Sequence, residues 1–201
     1  MSNERETLKK KLDTTLNLLF YLFNLRVHMT SIFKKEATYY ERVVNNSPFF
    51  QQVFWNSKRL FVIELMKLIS EKENEDFSLF KTINYINCNQ KKISWHEKFH
   101  NGELEKLKDS MRLDKDKYDN LKKLRDKHYA HTDKKIFQED YIAPRIPVED
   151  LLNYLENVCA VYVDLWIHLN GNQEKANEQF DTFCLLREGA GYIHELYELH
   201  K

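Results

Sequence analysis

The stretch LKKKLDTTLNLLFYLF, residues 8–23, decides the fold class of this chain. Its apolar residues recur at steps of three and four, which places their side chains on one face of an α-helix. These residues are Leu8, Leu12, Leu16, Leu19, Phe20 and Phe23. The same spacing continues toward Tyr40 and returns in later segments. The pattern therefore predicts long amphipathic helices.

Glycine and proline are scarce, with 4 Gly and 3 Pro in 201 residues. Sandwiches, barrels and doubly wound sheets need many turns, and turns rely on these two residues. The composition therefore argues against all-β folds and against Rossmann or P-loop architectures. The few breaks that separate helices are Ser47-Pro48, Asn101-Gly102, Ala143-Pro144 and Asn170-Gly171.

These breaks, with the apolar spacing, predict an all-α fold of about five to seven helices. The predicted ranges are 8 toward 40, 48–72, 77–87, 103–111, 114–134, 147–169 and 173 toward the C-terminus, with a break at 189–191. The helix over 114–134 carries the motif described below, and the C-terminal helices cover about 147–200. Long helices joined by short loops are typical of an antiparallel bundle. We expect a single domain over residues 1–201.

Charge and cysteine content limit the classes of protein further. The 31 basic and 31 acidic residues balance, which excludes a strongly basic nucleic-acid coat protein and an acidic disordered tail. No apolar run is long enough for a membrane span, and no signal peptide is expected. The widely spaced Cys88, Cys159 and Cys184 predict buried free thiols in a reducing compartment. The sequence therefore predicts a cytoplasmic protein without a membrane partner.

Residues 96–100, HEKFH, match the zincin pattern His-Glu-x-x-His. In zincins the two histidines lie one helical turn apart and hold zinc, while the glutamate acts on a metal-bound water. Here Lys98 occupies a position that is usually apolar, and Asn101-Gly102 ends any helix directly after the second histidine. We therefore reject His96, Glu97 and His100 as metal ligands and expect imidazoles that are exposed or partly buried beside Trp95. No metal or other cofactor is expected.

The segment LRDKHYAHTD, residues 124–133, is the densest group of chemically active side chains. Arg125 can bind phosphate oxygens through two parallel N–H groups, and His131 is of the residue type that titrates near neutral pH. Together they suit acid–base cleavage of a phosphodiester without a metal. An RNA substrate would supply the 2′-OH nucleophile that DNA lacks. The plainer alternative is a solvated helix end, where basic side chains offset the helix dipole.

The spacing of this motif favours a site shared between two chains. On a straight α-helix, Arg125 and His131 would differ by about 120° in direction and about 9 Å along the axis. One helix cannot readily aim both at one phosphate, whereas two copies related by a two-fold axis can. His128 is one turn from Arg125 and is an alternative partner within one chain, or a second acid–base group. Lys127, four residues before His131, is a candidate phosphate contact.

The motif also carries a resemblance to a known family. Residues 125–127 (RDK) followed by 130–133 (AHTD) resemble the signature of the HEPN superfamily and are most similar to its AbiU-like abortive-infection branch. The likeness extends over most of the chain, including the segment from Trp55 to Leu68. It implies a helical bundle that dimerises. In it, Arg125 and His131 would be the catalytic pair, and Asp126 would orient or assist.

What the resemblance implies is a metal-independent ribonuclease of bacterial phage defence or toxin action. Its partners would be RNA, without DNA specificity, a second copy of the chain, and a cognate antitoxin or another defence protein. Asp133 is a further candidate supporting residue. In the nucleotidyltransferase-paired toxin branch, this position is a tyrosine that is modified with a nucleotide. Regulation by such a modification is therefore not expected here. Between residues 105 and 135, eleven basic against seven acidic residues could form a modest basic patch.

The alternative reading belongs to another class of protein. Many HEPN members have lost activity, and the chain could be a catalytically silent helical homodimer that binds a nucleotide, RNA or a protein. A buried or salt-bridged Arg125 would favour this alternative.

Overall fold

Six α-helices and one π-helical segment form the part of the chain that the computed structural model describes, residues 3–32, 46–71, 78–129 and 144–171. The helices are α1 Asn3–Ile32, α2 Pro48–Ile69, α3 Leu79–Asn89, α4 Glu103–Met111, α5 Lys115–Lys123 and α6 Val148–Asn170. The π-helical segment, Leu124–Tyr129, follows α5 directly. The predicted all-α class is confirmed, since no strand occurs within these ranges. The helix predicted after residue 173, the break at 189–191 and Cys184 lie outside the described residues.

One stripe of α1 forms a large part of the core. Leu8, Leu12, Leu19 and Phe23 are buried, as their helical spacing predicts, while Leu16 and Phe20 are partly buried against the same core. Because each fully buried side chain of this kind contributes about 1.5–3 kcal/mol, the stripe fixes α1 firmly. The helix packs against α2, α3 and α6.

Helix α2 connects this core to the predicted catalytic segment. It packs against α1, α3, α5 and α6 and against the π-helical segment. Its buried apolar residues are Phe54, Phe61, Val62, Leu65, Met66, Leu68 and Ile69. The position of the Arg125 segment therefore depends on α2 as well as on α5.

The helix ends follow the breaks in the sequence. Ser47 is the N-cap of α2 and Pro48 its first residue; the Ser47 carbonyl accepts the Gln51 N–H, and no side-chain capping bond forms. Gly102 and Gly171 have φ angles of 80° and 68°, the left-handed region that favours glycine. Pro147 was expected to be the first residue of α6, but it is the N-cap and Val148 begins the helix.

Two other expectations can be compared with the described residues. None of the described helices is long and apolar enough to cross a membrane. Cys159 is buried as expected, whereas the expectation was wrong for Cys88, which is exposed near the end of α3. Within the described ranges, no disulfide joins these two cysteines.

Candidate functional site

Arg125 and Asp126 form an ion pair at the start of the π-helical segment. The Arg125 Nε donates a hydrogen bond to the Asp126 Oδ1 at 2.6 Å. The Arg125 side chain is 12% exposed and that of Asp126 is 40% exposed. This bond uses one of the five N–H donors of a guanidinium. The carboxylate therefore lies where it can orient the guanidinium plane.

The backbone that carries this pair is not the regular α-helix that the sequence predicted over 114–134. Regular α-helix ends at Lys123, and Leu124–Tyr129 are π-helical. Where the change occurs, the Leu124 N–H is shared between the carbonyls of Asn120 and Leu121. A π-helix closes its hydrogen bonds between residues five apart and is frequent at functional sites. The angles and rises of a straight α-helix therefore do not apply across residues 124–129.

Buried leucines anchor the segment beside the ion pair. Leu121 and Leu124 are each 3% exposed, and Leu124 directly precedes Arg125. Both side chains belong to the hydrophobic core. The core therefore fixes the backbone next to the guanidinium.

Tyr118 lies on the same side of α5, within electrostatic range of the ion pair. Burial raises the pKa of its hydroxyl, and the positive charge of Arg125 partly offsets that rise. The hydroxyl of Tyr154 also has a pKa raised by burial, with a further rise from Tyr118. Tyr118 therefore lies within electrostatic range of both Arg125 and Tyr154.

A cleft of about 310 Å³ lies between α5, the start of α6 and the segment that precedes α6. Its apolar lining consists of Leu113, Leu121, Ile146, Pro147, Leu151 and Tyr154. Its polar lining consists of Lys117, Asn120, Arg145, Asp150, Asn153 and Asn157. Leu121 lies in the last turn of α5, three residues before the π-helical segment that carries Arg125 begins. The cleft therefore adjoins the candidate catalytic segment.

Two hydrogen bonds, one buried and one partly buried, hold the α6 side of this cleft. The Tyr154 hydroxyl donates to the carbonyl of Met111, which joins α6 to the end of α4. The Lys58 Nζ donates to the carbonyl of Ile146 at 2.9 Å, which joins α2 to the segment before α6. Burial lowers the pKa of Lys58. The α6 side of the cleft is therefore tied to α4 and to α2 by hydrogen bonds.

Comparison with known families places the chain. The family model of AbiU2, a HEPN family, matches residues 3–184. The chain belongs to the AbiU2 family of HEPN proteins. The resemblance predicted from the RDK and AHTD residues is thereby confirmed. No curated protein and no solved structure matches the chain.

The remaining predicted site residues of this AbiU2-family chain are described only in part. His131 and Asp133 lie outside the described residues. The backbone of Lys127 and His128 belongs to the π-helical segment, and their side chains lie outside the described part. Arg125 and Asp126 are thus the predicted site residues that the structure brings together, and the catalytic role of all six stays a prediction.

The cleft residues were not predicted from the sequence. Asp150, Asn153 and Asn157 follow one another at steps of three and four on α6, so their polar spacing could have indicated a shared face. Their proximity to Lys117 and Arg145 depends on how α5 and α6 pack, which the sequence does not specify.

The zincin-like residues of the AbiU2-family chain lie in a loop. Residues 96–100 connect α3 and α4 and are not helical. His96 and His100 are exposed, as expected. The i,i+4 geometry of a zincin needs a helix, and residues 96–100 do not form one. Among the described residues, no three His, Cys, Asp or Glu side chains are placed to hold a metal ion.

This loop instead ties the end of α6 to the bundle. The N–H groups of His96 and Glu97 both donate to the His168 carbonyl at 3.1 Å. The Phe99 ring stacks on the His168 ring, with centroids 3.9 Å apart. Arg5 of α1 donates to the carbonyls of Ser94 and Leu169. The histidine-containing loop therefore has a structural role here.

We expect Gly171→Ala to destabilise this corner. Alanine in the left-handed region costs about 1–2 kcal/mol, and a Cβ at Gly171 would overlap the His96 imidazole. A loss of that size lowers Tm by about 2–8 °C in a chain of this length. Thermal denaturation followed by circular dichroism measures it. In a His96→Ala background the same substitution should cost less, because only the backbone strain remains. An equal loss in both backgrounds would contradict the packing of His96 on Gly171.

Proposed function

We propose that this chain is a metal-independent endoribonuclease of phage defence or toxin action. The observation that carries the proposal is the Arg125–Asp126 pair, 2.6 Å apart, within the RDK residues of a chain that belongs to the AbiU2 family. A guanidinium held in its plane by a carboxylate is suited to bind a phosphate through parallel N–H groups.

The proposed reaction uses the substrate's own nucleophile. A base takes the proton from the RNA 2′-OH, and the 2′ oxygen attacks the adjacent phosphorus. The bond from phosphorus to the 5′ oxygen breaks, and an acid gives that oxygen a proton. The products are a 2′,3′-cyclic phosphate and a 5′-OH end. His131 supplies acid–base catalysis, Arg125 stabilises the charge on the phosphate, and Asp126 orients Arg125.

We propose that the active unit is a two-fold dimer in which Arg125 and His131 of different copies act on one phosphate. Lys127, His128 and Asp133 are the candidate supporting residues around that phosphate. Because the basic residues of each copy come together only at the seam, a chain of zero net charge can still hold an RNA backbone there. A cognate antitoxin or defence partner would act on the same dimer.

A labelled single-stranded RNA incubated with the purified chain in EDTA tests the activity. We expect cleavage that leaves 2′,3′-cyclic phosphate ends, because the nucleophile comes from the RNA and no metal takes part. A matched oligonucleotide with 2′-O-methyl groups should remain intact, since it lacks the attacking hydroxyl. Cleavage of that oligonucleotide, or activity only after a divalent metal is added, would contradict the mechanism.

The silent dimer is the second candidate, and one observation favours it. The Arg125 side chain is only 12% exposed and is ion-paired, which is the arrangement of an arginine with a structural role. In that case the chain would bind a nucleotide, RNA or a protein without cutting RNA. Intact RNA after incubation in EDTA, with or without added divalent metal, would support this candidate.

A further inference from the structure

We propose that the cleft between α5 and α6 is a subsite for one unpaired nucleotide of a single-stranded RNA, next to the phosphate bound at Arg125. This proposal rests on the proposed function. It specifies where the RNA lies on the chain and which residues contact its base.

The size of the cleft suits a nucleotide. Its volume of about 310 Å³ is at the lower end of the roughly 300–1,000 Å³ that is usual for small-ligand pockets. Its lining includes the partly buried Leu113 and Ile146 and the exposed Pro147, which offer apolar surface to the faces of a base. A base inserted here would keep its polar edge toward the rim.

The rim carries the chemistry that recognises base edges. Asn153 and Asn157 project from one face of α6, and Asn120 lines the cleft from α5. An asparagine amide has both donors and an acceptor and can pair with the edge of a base. Asp150 can accept a hydrogen bond from an exocyclic amine or a ribose hydroxyl. Unpaired bases are the parts of RNA that proteins read in this way.

Two cations are placed to meet the backbone. Arg145 is exposed at the rim, and Lys117 is 63% exposed, with its Nζ 3.8 Å from the Asp114 Oδ2. An ion pair that is this exposed contributes little to stability, so Lys117 can exchange it for a phosphate. Phosphate contacts of this kind position the strand, and base contacts give the preference.

The position along α5 links the subsite to the predicted chemistry. Lys117, Leu121 and Arg125 follow one another at steps of four residues, and the first two line the cleft. Arg125 is the second residue of the π-helical segment that directly follows the α5 turn carrying Leu121, and neighbouring phosphates in a stacked strand are about 3.4 Å apart. A nucleotide in the cleft would therefore place a neighbouring phosphate near Arg125.

Fluorescence anisotropy with a labelled 2′-O-methyl single-stranded oligonucleotide tests the subsite without cleavage. We expect Asn153→Leu and Asn157→Leu each to weaken binding about tenfold, within the range for loss of a base-edge contact. Because both side chains are exposed, the fold should tolerate the substitutions. The variants should also reduce the difference in affinity among oligonucleotides of different base composition. Asn84→Leu, at an exposed position on α3, is the matched control and should bind as the wild type does.

The salt dependence of RNA binding tests the roles of Lys117 and Arg145. Lys117→Gln and Arg145→Gln should weaken binding to all sequences alike and each reduce the slope of log affinity against log salt by about one. Lys106→Gln, exposed on α4 and outside the cleft, should leave that slope unchanged. The same oligonucleotides and salt series serve for all of these variants.

The outcomes separate this inference from the proposed function. If the wild type cuts RNA but the asparagine variants bind as tightly as the wild type, the subsite is wrong and the ribonuclease stands. If the wild type does not cut RNA but these variants bind more weakly, the ribonuclease is wrong and the subsite stands. If the wild type does not bind the oligonucleotide, the subsite is wrong.

Discussion

Arg125→Ala and His131→Ala should each reduce RNA cleavage in EDTA by about a hundredfold or more. Loss of one positioned acid–base group or one charge-stabilising donor typically lowers the rate about 10²–10⁴-fold. The measurement is the rate of release of 2′,3′-cyclic phosphate ends from a labelled RNA. Circular dichroism and thermal denaturation show whether each variant stays folded.

Arg26→Ala is the matched control for Arg125→Ala. The Arg26 side chain is 14% exposed and pairs with Glu156 at 2.9 Å, so it resembles Arg125 in burial and pairing but lies on α1. If loss of any mostly buried, ion-paired arginine were enough to stop cleavage, both variants would lose cleavage activity. We expect the Arg26 variant to retain cleavage. Unchanged cleavage by both the Arg125 and the His131 variants would overturn the catalytic assignment.

Mixing the two inactive variants tests the shared site of the proposed dimer. In a mixed dimer, one composite site lacks both Arg125 and His131, and the other has both. Random exchange makes about half of the dimers mixed, so about a quarter of the wild-type activity should return, given two-fold symmetry. If each site took both residues from one chain, mixing would restore none.

The sequence predicted the helices well because their boundaries depend on local chemistry. The stripe from Leu8 to Phe23 needs only the helical period, and the end of α6 needs only a glycine that can take a positive φ at Gly171. Ser47-Pro48 likewise marks the start of α2 through the fixed φ of proline. Each of these features is set within a few residues of the chain.

The site was less predictable because it depends on longer-range packing. The backbone changes from α-helix to π-helix at Leu124, and no local pattern in residues 124–129 indicates this change. The cleft needs Arg145 and Asn153 to line the same space as Lys117, which follows from the packing of α5 and α6 on α2. The histidine loop shows the converse case, since residues 96–100 match a catalytic pattern locally but are held in a loop by Arg5 and α6.

Phe61→Ala should cause the largest loss of stability, about 3–5 kcal/mol. The side chain is fully buried in the middle of α2, the helix that contacts α1, α3, α5, α6 and the π-helical segment. Removing the ring takes away its apolar burial and leaves a cavity that the surrounding helices can fill only in part. The loss is a large fraction of the roughly 5–15 kcal/mol that holds a typical domain together.

Urea denaturation measures the free energy of unfolding, and thermal denaturation should show a fall in Tm of about 6–20 °C. Phe61→Leu is the matched control, because it keeps most of the apolar volume and should cost much less than the alanine. A loss below about 1 kcal/mol for Phe61→Ala, typical of surface substitutions, would contradict the central position of α2. Helix α2 also packs on the segment that begins at Leu124. Cleavage by the Phe61→Ala variant should therefore fall as the temperature approaches its lowered Tm. The Arg125→Ala variant, by contrast, should lack cleavage at temperatures where it is still folded.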